Sequence, residues 1–199
     1  MLLPKPTGSD FELAPSGTFA ARCYRFVDLG TQPKLYNGST TLKRMVGISW
    51  ELPDELMKDG KPFSIYQRYV WSMSEKSTLR KHLESWRGVK FVDADFGSFD
   101  TRKLIGVPCM IGITHVAKEG KTYANISSIS RPLKGLEVPA IVNEPLYFSL
   151  DEFDQTAFDR LSQSMKQTIM ASPEYATLFN HDFEHGAEVG DVISADCPF

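Results

Sequence analysis

Basic and aromatic residues recur side by side along the first two thirds of the chain. Arg22 and Tyr24 lie two apart, as do Tyr66 and Arg68, and in extended backbone each pair shares one face. Lys34 and Tyr36, and Lys121 and Tyr123, repeat the spacing, Lys43 and Arg44 open an alternating run, and Trp71 and the Trp86-Arg87 pair add large rings. A cation next to an aromatic face is the equipment for holding a single-stranded nucleic acid without reading its sequence. The cations follow the phosphates, and each stacked base contributes about 1–3 kcal/mol. Aromatic residues also dominate cores, which is the place expected for Trp50 and Phe63. Tyr24, Tyr36, Tyr66 and Tyr123 suit a wet groove better, because a phenol tolerates water and each has a basic neighbour. Trp71 and Trp86 fit either setting.

Catalytic constellations are weak by comparison. The sequence contains no GxxxxGK[ST], GxGxxG or GxSxG run. His181 and His185 have the spacing of two metal ligands, with Asp182 and Glu184 as oxygen donors, but no second cluster completes a site. Cys109 and His115 are too far apart on one strand to act as nucleophile and base. His82 is expected on a helix surface, and Asp93, Asp95 and Asp100 read as turn chemistry before they read as a cation site. Cys23, Cys109 and Cys197 are widely spaced and suggest neither a disulfide framework nor a thiolate site. The expectation is a non-enzymatic protein without metal or cofactor.

The last residues, Asp196-Cys197-Pro198-Phe199, form the sharpest local signal. Pro198 fixes one backbone torsion, Phe199 supplies an apolar anchor, and Asp191, Asp196 and the terminal carboxylate add charge, so a partner needs only an apolar pocket ringed by cations. An Asp-x-Pro-Phe ending arises by chance in on the order of one chain in ten thousand. This ending resembles the acidic C-terminal tip of bacterial and phage single-stranded-DNA-binding proteins. It departs from them in having one acid beside the tip instead of a run, and Cys197 in place of an aliphatic residue. The resemblance implies docking of replication and recombination proteins at Asp191, Asp196, Pro198 and Phe199.

Charge is divided in the same sense. Residues 1–134 carry 20 Lys and Arg against 13 Asp and Glu, and residues 135–199 carry 2 against 12. A basic body that attracts a polyanion and an acidic end that does not stick to it would produce this division. No stretch approaches the roughly 20 apolar residues that span a bilayer, and the first residues lack a signal peptide's apolar core, so no membrane partner is expected and the chain should stay in the cytoplasm.

The elements that must position these residues follow from periodicity. Strands are expected over Thr18–Asp28, Lys43–Glu51 and Lys61–Ser72, with the Gly/Pro/Asn-containing run from Asp28 to Thr40 as a loop. A helix follows, with Leu79, Leu83 and Trp86 on one side, Ser72 and Glu75 as a capping box and Gly88 as its C-cap. Val107–Ala117 and Lys121–Pro132 form a second hairpin through Lys118-Glu119-Gly120. The fold class is therefore mainly β with added helices. Three strands, a helix and two strands is the order of a five-stranded OB-fold Greek-key barrel, a scaffold widely used for oligonucleotides.

Division into 1–134 as the barrel, 135–179 as a connection with an amphipathic helix over Ser149–Ala171, and 180–199 as an aperiodic acidic tail completes the layout. A short helical turn is expected within the connection at Pro173–Phe179. Through ARCYRFVDLGTQ and EKSTLRKHLESWRGVKF the body, over roughly residues 15–130, resembles phage-encoded single-stranded-DNA-binding proteins of OB type. That resemblance implies cooperative coating of single strands in replication or recombination, with a possible homo-oligomer. Two other functions fit the same features: an adaptor that captures host replication proteins through the tip, and a strand-annealing factor.

Overall fold

The computed structural model describes residues 12–36 and 38–184. Its frame is a mainly antiparallel sheet in which β1 (Gly17–Tyr36) pairs with β2 (Ser39–Leu56) and β2 with β3 (Pro62–Val70). The helix α1 (Thr78–Arg87) follows, then the hairpin of β4 (Pro108–Lys118) and β5 (Lys121–Ser130). Strand order is β3-β2-β1-β4-β5. The sheet is open: β3 and β5 approach one another across the gap without forming a ladder. A sixth strand, β6 (Leu146–Phe148), pairs in parallel with Arg25–Val27 of β1.

Three differences from the expected elements have local causes. The run read as a loop between the first two strands is strand throughout, because the β1–β2 ladder continues from Thr31–Arg44 to Tyr36–Ser39. Gly30, at φ 68° and bonded through its N–H to Asp28 Oδ1, takes up a register shift there instead of ending the strand. Helix α1 begins at Ser77, not at the Ser72/Glu75 pair, while Gly88 closes it in the left-handed conformation with its N–H on Glu84 O, as expected. The single helix expected over Ser149–Ala171 is two, α2 (Gln155–Asp159) and α3 (Gln163–Met170). Asp154 accepts from Thr156 N–H and Ser162 from Met165 N–H, so each starts its own helix. Pro173 then opens α4, which runs to Glu184.

Alternation along the strands makes two cores. Phe26, Val46, Ile48, Trp50, Ile111 and Ile129 face inward and receive Leu79, Leu83 and Trp86 from α1. Their neighbours Val27, Leu29 and Met45 face the other way and are covered by Phe148, Phe158, Leu161 and Ile169 from β6 and the C-terminal helices. Phe63 packs against the first core and Trp50 lies within it, as expected for both. Burying each such side chain stabilises the fold by about 1.5–3 kcal/mol. The sheet therefore needs the segment after Gly135 on its outer side.

That segment is fastened by a buried carboxylate. Glu51 is wholly buried and accepts hydrogen bonds from the N–H groups of Val142 and Asn143 and from the Asn143 side chain. Arg22, directly across the ladder from Glu51, donates to the carbonyls of Gly106, Val138 and Pro139. The Glu51→Ala change removes the acceptor and leaves its donors unmet. Chemical denaturation should show a loss of about 2–3 kcal/mol, and limited proteolysis should cut faster between residues 136 and 145.

Burial also decides the chemistry of two thiols. Cys23 and Cys109 are free and buried, and desolvation pushes the Cys23 thiol up to about 12 and raises Cys109 further. In a Cys197→Ser background, a thiol reagent at neutral pH should label neither cysteine until denaturant unfolds the chain.

Candidate nucleic-acid interface

Where β3 ends and β1 and β2 run on, a groove of about 620 Å³ opens between the projecting ribbon and the approach to α1. Lys34 and Lys43 come from the ribbon, Arg44 from its base, Arg68 and Trp71 from the end of β3, and Lys76 from the lead into α1. Among the described residues no carboxylate lines it. Lys34, Lys43, Arg68 and Lys76 form no salt bridge with a described acid, and their charge is left to solvent. Trp71 stands 41% exposed at the groove, with its ring roughly perpendicular to that of Phe26. Ser77 and Thr78 bring the first turn of α1 to the same wall. Ser77 makes no side-chain capping bond, and helix geometry leaves the first amides without intrahelical partners, a ready setting for anions.

A second groove, of about 1180 Å³, follows the open seam between β3 and β5. Tyr66 and Tyr123 stand 39% and 47% exposed along it, with Lys58 and Lys121 as its cations and Glu12, which accepts from Lys58 N–H, as a carboxylate in the same lining. Burial against the sheet raises the Tyr66 phenol, which lies over Gly47, where any side chain would collide with the ring. Tyr66 and Arg68 are two apart on β3, so its outer face leads from one groove into the other. Cations and exposed rings thus follow one another along this route with access to water.

Of the residues singled out from sequence, Lys34, Lys43, Arg44, Arg68 and Trp71 meet in the first groove and Tyr66, Lys121 and Tyr123 in the second. Others are committed elsewhere. Tyr24 is buried beneath Arg25, whose guanidinium lies over its ring, and Trp86 is sealed in the core with its indole N–H on Pro108 O. Neither ring can stack on a base without unfolding. Arg22 donates to three backbone carbonyls, and Arg87 lies on Phe91 while bonding Asp95. Arg44 is only partly available: hydrogen bonds to Asp28 and Asp151 outweigh its burial and raise its guanidinium well above the ordinary value. For Tyr36 the strand position is described but not the side chain, and Asp191, Asp196, Pro198 and Phe199 lie outside the described residues.

Lys76 and the hydroxyl-rich run Ser72, Ser74, Ser77 and Thr78 were not expected at a site. Their signal is the string SMSEKST, four hydroxyls with Glu75 and Lys76, in which Ser72 and Glu75 read as a capping box. Of the residues weighed for catalysis, His82, Asp95 and Asp100 have local partners, whereas the His181 side chain and His185 lie outside the described residues. His82 is half-buried, hydrogen-bonds Tyr69 Oη and is lowered in pKa by that burial. Asp100 caps a 3-10 turn through Arg102 N–H, and Asp95 accepts from Val92 N–H and Arg87. Among the described residues no group of three His, Cys, Asp or Glu side chains is gathered as a metal site, and no helix is long and apolar enough to cross a membrane.

No protein-family model matches this chain, and no curated protein matches it.

Proposed function

We propose that the chain binds single-stranded DNA without sequence specificity, along a track that enters at the ribbon groove and follows the outer face of β3 to the open seam. The reading is carried by the groove itself: four cations without a described ion-pair partner, Lys34, Lys43, Arg68 and Lys76, and an exposed tryptophan line it beside Arg44, and no described carboxylate does. Such a wall repels itself unless a polyanion fills it. A single strand fits better than a duplex, because Trp71, Tyr66 and Tyr123 offer ring faces that only unstacked bases can use. The strand order, with β3 beside β5 across the gap, is that of an OB-type Greek-key barrel, and we read the sheet as such a barrel left open at one seam. In this reading the protein coats strands exposed during replication or recombination, and the Asp196–Phe199 tip recruits other replication proteins.

The proposal makes a quantitative claim about salt. The slope of log K against log salt for oligo-dT should fall in size by about 0.7 for each of Lys34→Ala, Lys43→Ala and Arg68→Ala, if each contacts one phosphate. Trp71→Ala should cost about 1–3 kcal/mol of binding with little change in slope. Fluorescence titration at several salt concentrations reads both, and equal affinity for duplex and oligo-dT would count against the proposal.

Deleting residues 196–199 separates coating from adaptor function. Affinity for oligo-dT should hold or rise, because removing Asp196 cannot weaken attraction to phosphate, while capture of replication proteins should be lost. A parent chain without affinity for oligo-dT, whose capture of replication proteins is lost on this deletion, would instead favour the adaptor.

A further inference from the structure

Arg25 is half-buried and lines neither groove. It stands opposite Ser49 in the β1–β2 ladder, and Ser49 stands opposite Tyr66 in the β2–β3 ladder, so the three form one row across the sheet. Residues directly opposite one another share a face, which puts Arg25 on the outer face with Tyr66. The adjoining row on that face is Val27, Gly47 and Arg68. Between β3 and β1 the floor is therefore made only of Ser49, which is buried, and Gly47, over which the Tyr66 ring lies. Short residues on the middle strand and long ones on its neighbours make a furrow beside Tyr66 and Arg68.

The fold leaves the Arg25 guanidinium unused. It forms no salt bridge with a described acid, its Nε is covered without an acceptor, and it rests on the Tyr24 ring, 5.3 Å from the centroid. A covered donor without an acceptor is costly, so an arriving anion gains what the scaffold does not supply. Glu51, two residues along β2 from Ser49, gives both carboxylate oxygens to Val142 and Asn143. Burial raises the Tyr66 phenol while the charges of Arg68 and Arg25 pull it back, so both cations act on this one ring.

We infer that Arg25 is a phosphate-binding residue of the track: the strand crosses the furrow with one phosphodiester at Arg25, beside the one at Arg68, and a base against Tyr66. This inference rests on the single-stranded-DNA reading. The arginine fork matches phosphate oxygens, and reaching one asks only that the guanidinium turn away from Tyr24, which also uncovers Nε. A lone carboxylate would satisfy the arginine too, but it would leave the adjoining 39% exposed ring with nothing to stack on it.

The test compares the full chain with Arg25→Met, which keeps the apolar cover on Tyr24 and removes the charge, and with Arg25→Lys, which keeps the charge without the fork. In titrations of oligo-dT at several salt concentrations, R25M should bind about ten-fold more weakly at low salt. Its slope of log K against log salt should be smaller by about 0.7. R25K should keep the parent's slope and recover part of the affinity. R25M should unfold at or above the parent's midpoint, because it loses an unmet donor; a lower midpoint with an unchanged slope would mean a packing role and overturn the inference. By NMR, the Arg25 Nε–H signal, identified by its absence from R25M, should shift with oligo-dT and, at far higher concentration, with inorganic phosphate. An R25M that keeps the parent's slope while Arg68→Ala loses about 0.7 overturns the inference and leaves the DNA reading standing. If the parent ignores oligo-dT but phosphate shifts the Arg25 signal, the DNA reading fails and the anion site stands; if neither ligand has an effect, both fail.

Discussion

The antiparallel ladder between β1 and β2 runs from Arg22–Glu51 out to Tyr36–Ser39, interrupted by two register shifts. Its inner part supplies both cores: successive residues of each strand feed opposite faces, one closed by α1 and the other by β6 and the C-terminal helices. Its outer part leaves the sheet and becomes the ribbon. The shift at Asp28/Thr31 is the joint between them, held by Gly30 N–H on Asp28 and by Glu174, which accepts from both the N–H and the hydroxyl of Thr31. Helix α4 thus fixes the angle at which Lys34 and Lys43 are presented. A two-stranded ribbon is marginal in water by itself, so this tethering decides whether the groove exists.

Charge is arranged by where the carboxylates are used. Glu51 serves backbone amides in the interior; Asp28 and Asp151 hold Arg44; Glu84 takes Arg80 and Phe91 N–H; Asp95 takes Arg87 and Val92 N–H. The hydrogen bonds from Arg80 and from Val92 N–H, respectively, hold the Glu84 and Asp95 carboxyls below their ordinary range. Of these acids only Asp28 and Asp151 reach a groove cation, Arg44. The cations left at the groove wall are the ones with no structural task, and this separates Lys34, Lys43, Arg68 and Lys76 from Arg22 and Arg87, which the scaffold consumes.

Much of this was legible in the residues. The five longer strands, α1 with its Gly88 cap, and the placement of Trp50 and Phe63 followed from period and turn chemistry. The ribbon did not, because Gly30, Pro33 and Gly38 look like loop punctuation. The Asn37-Gly38 dipeptide between two extended runs was the hairpin signal that could have revealed it. Three-residue β6 has no local signature, since its pairing with β1 depends on tertiary contacts alone. Tyr24 was misjudged because it is the unpaired residue of the register shift between Cys23 and Arg25, which breaks the alternation that set it beside Arg22. Trp86 continues the Leu79 and Leu83 stripe of α1, and that period outweighed its basic neighbour.

The central claim is that rings and unpaired cations on one wall engage unstacked bases. Photo-crosslinking with an oligo-dT that carries 5-iodouracil, followed by mass spectrometry, tests it at the level of residues. Adducts on Trp71, Tyr66 and Tyr123, competed by unlabelled oligo-dT and not by duplex, are the predicted result. Adducts confined to the surface of α2 to α4, or none above background in dilute buffer, would contradict it.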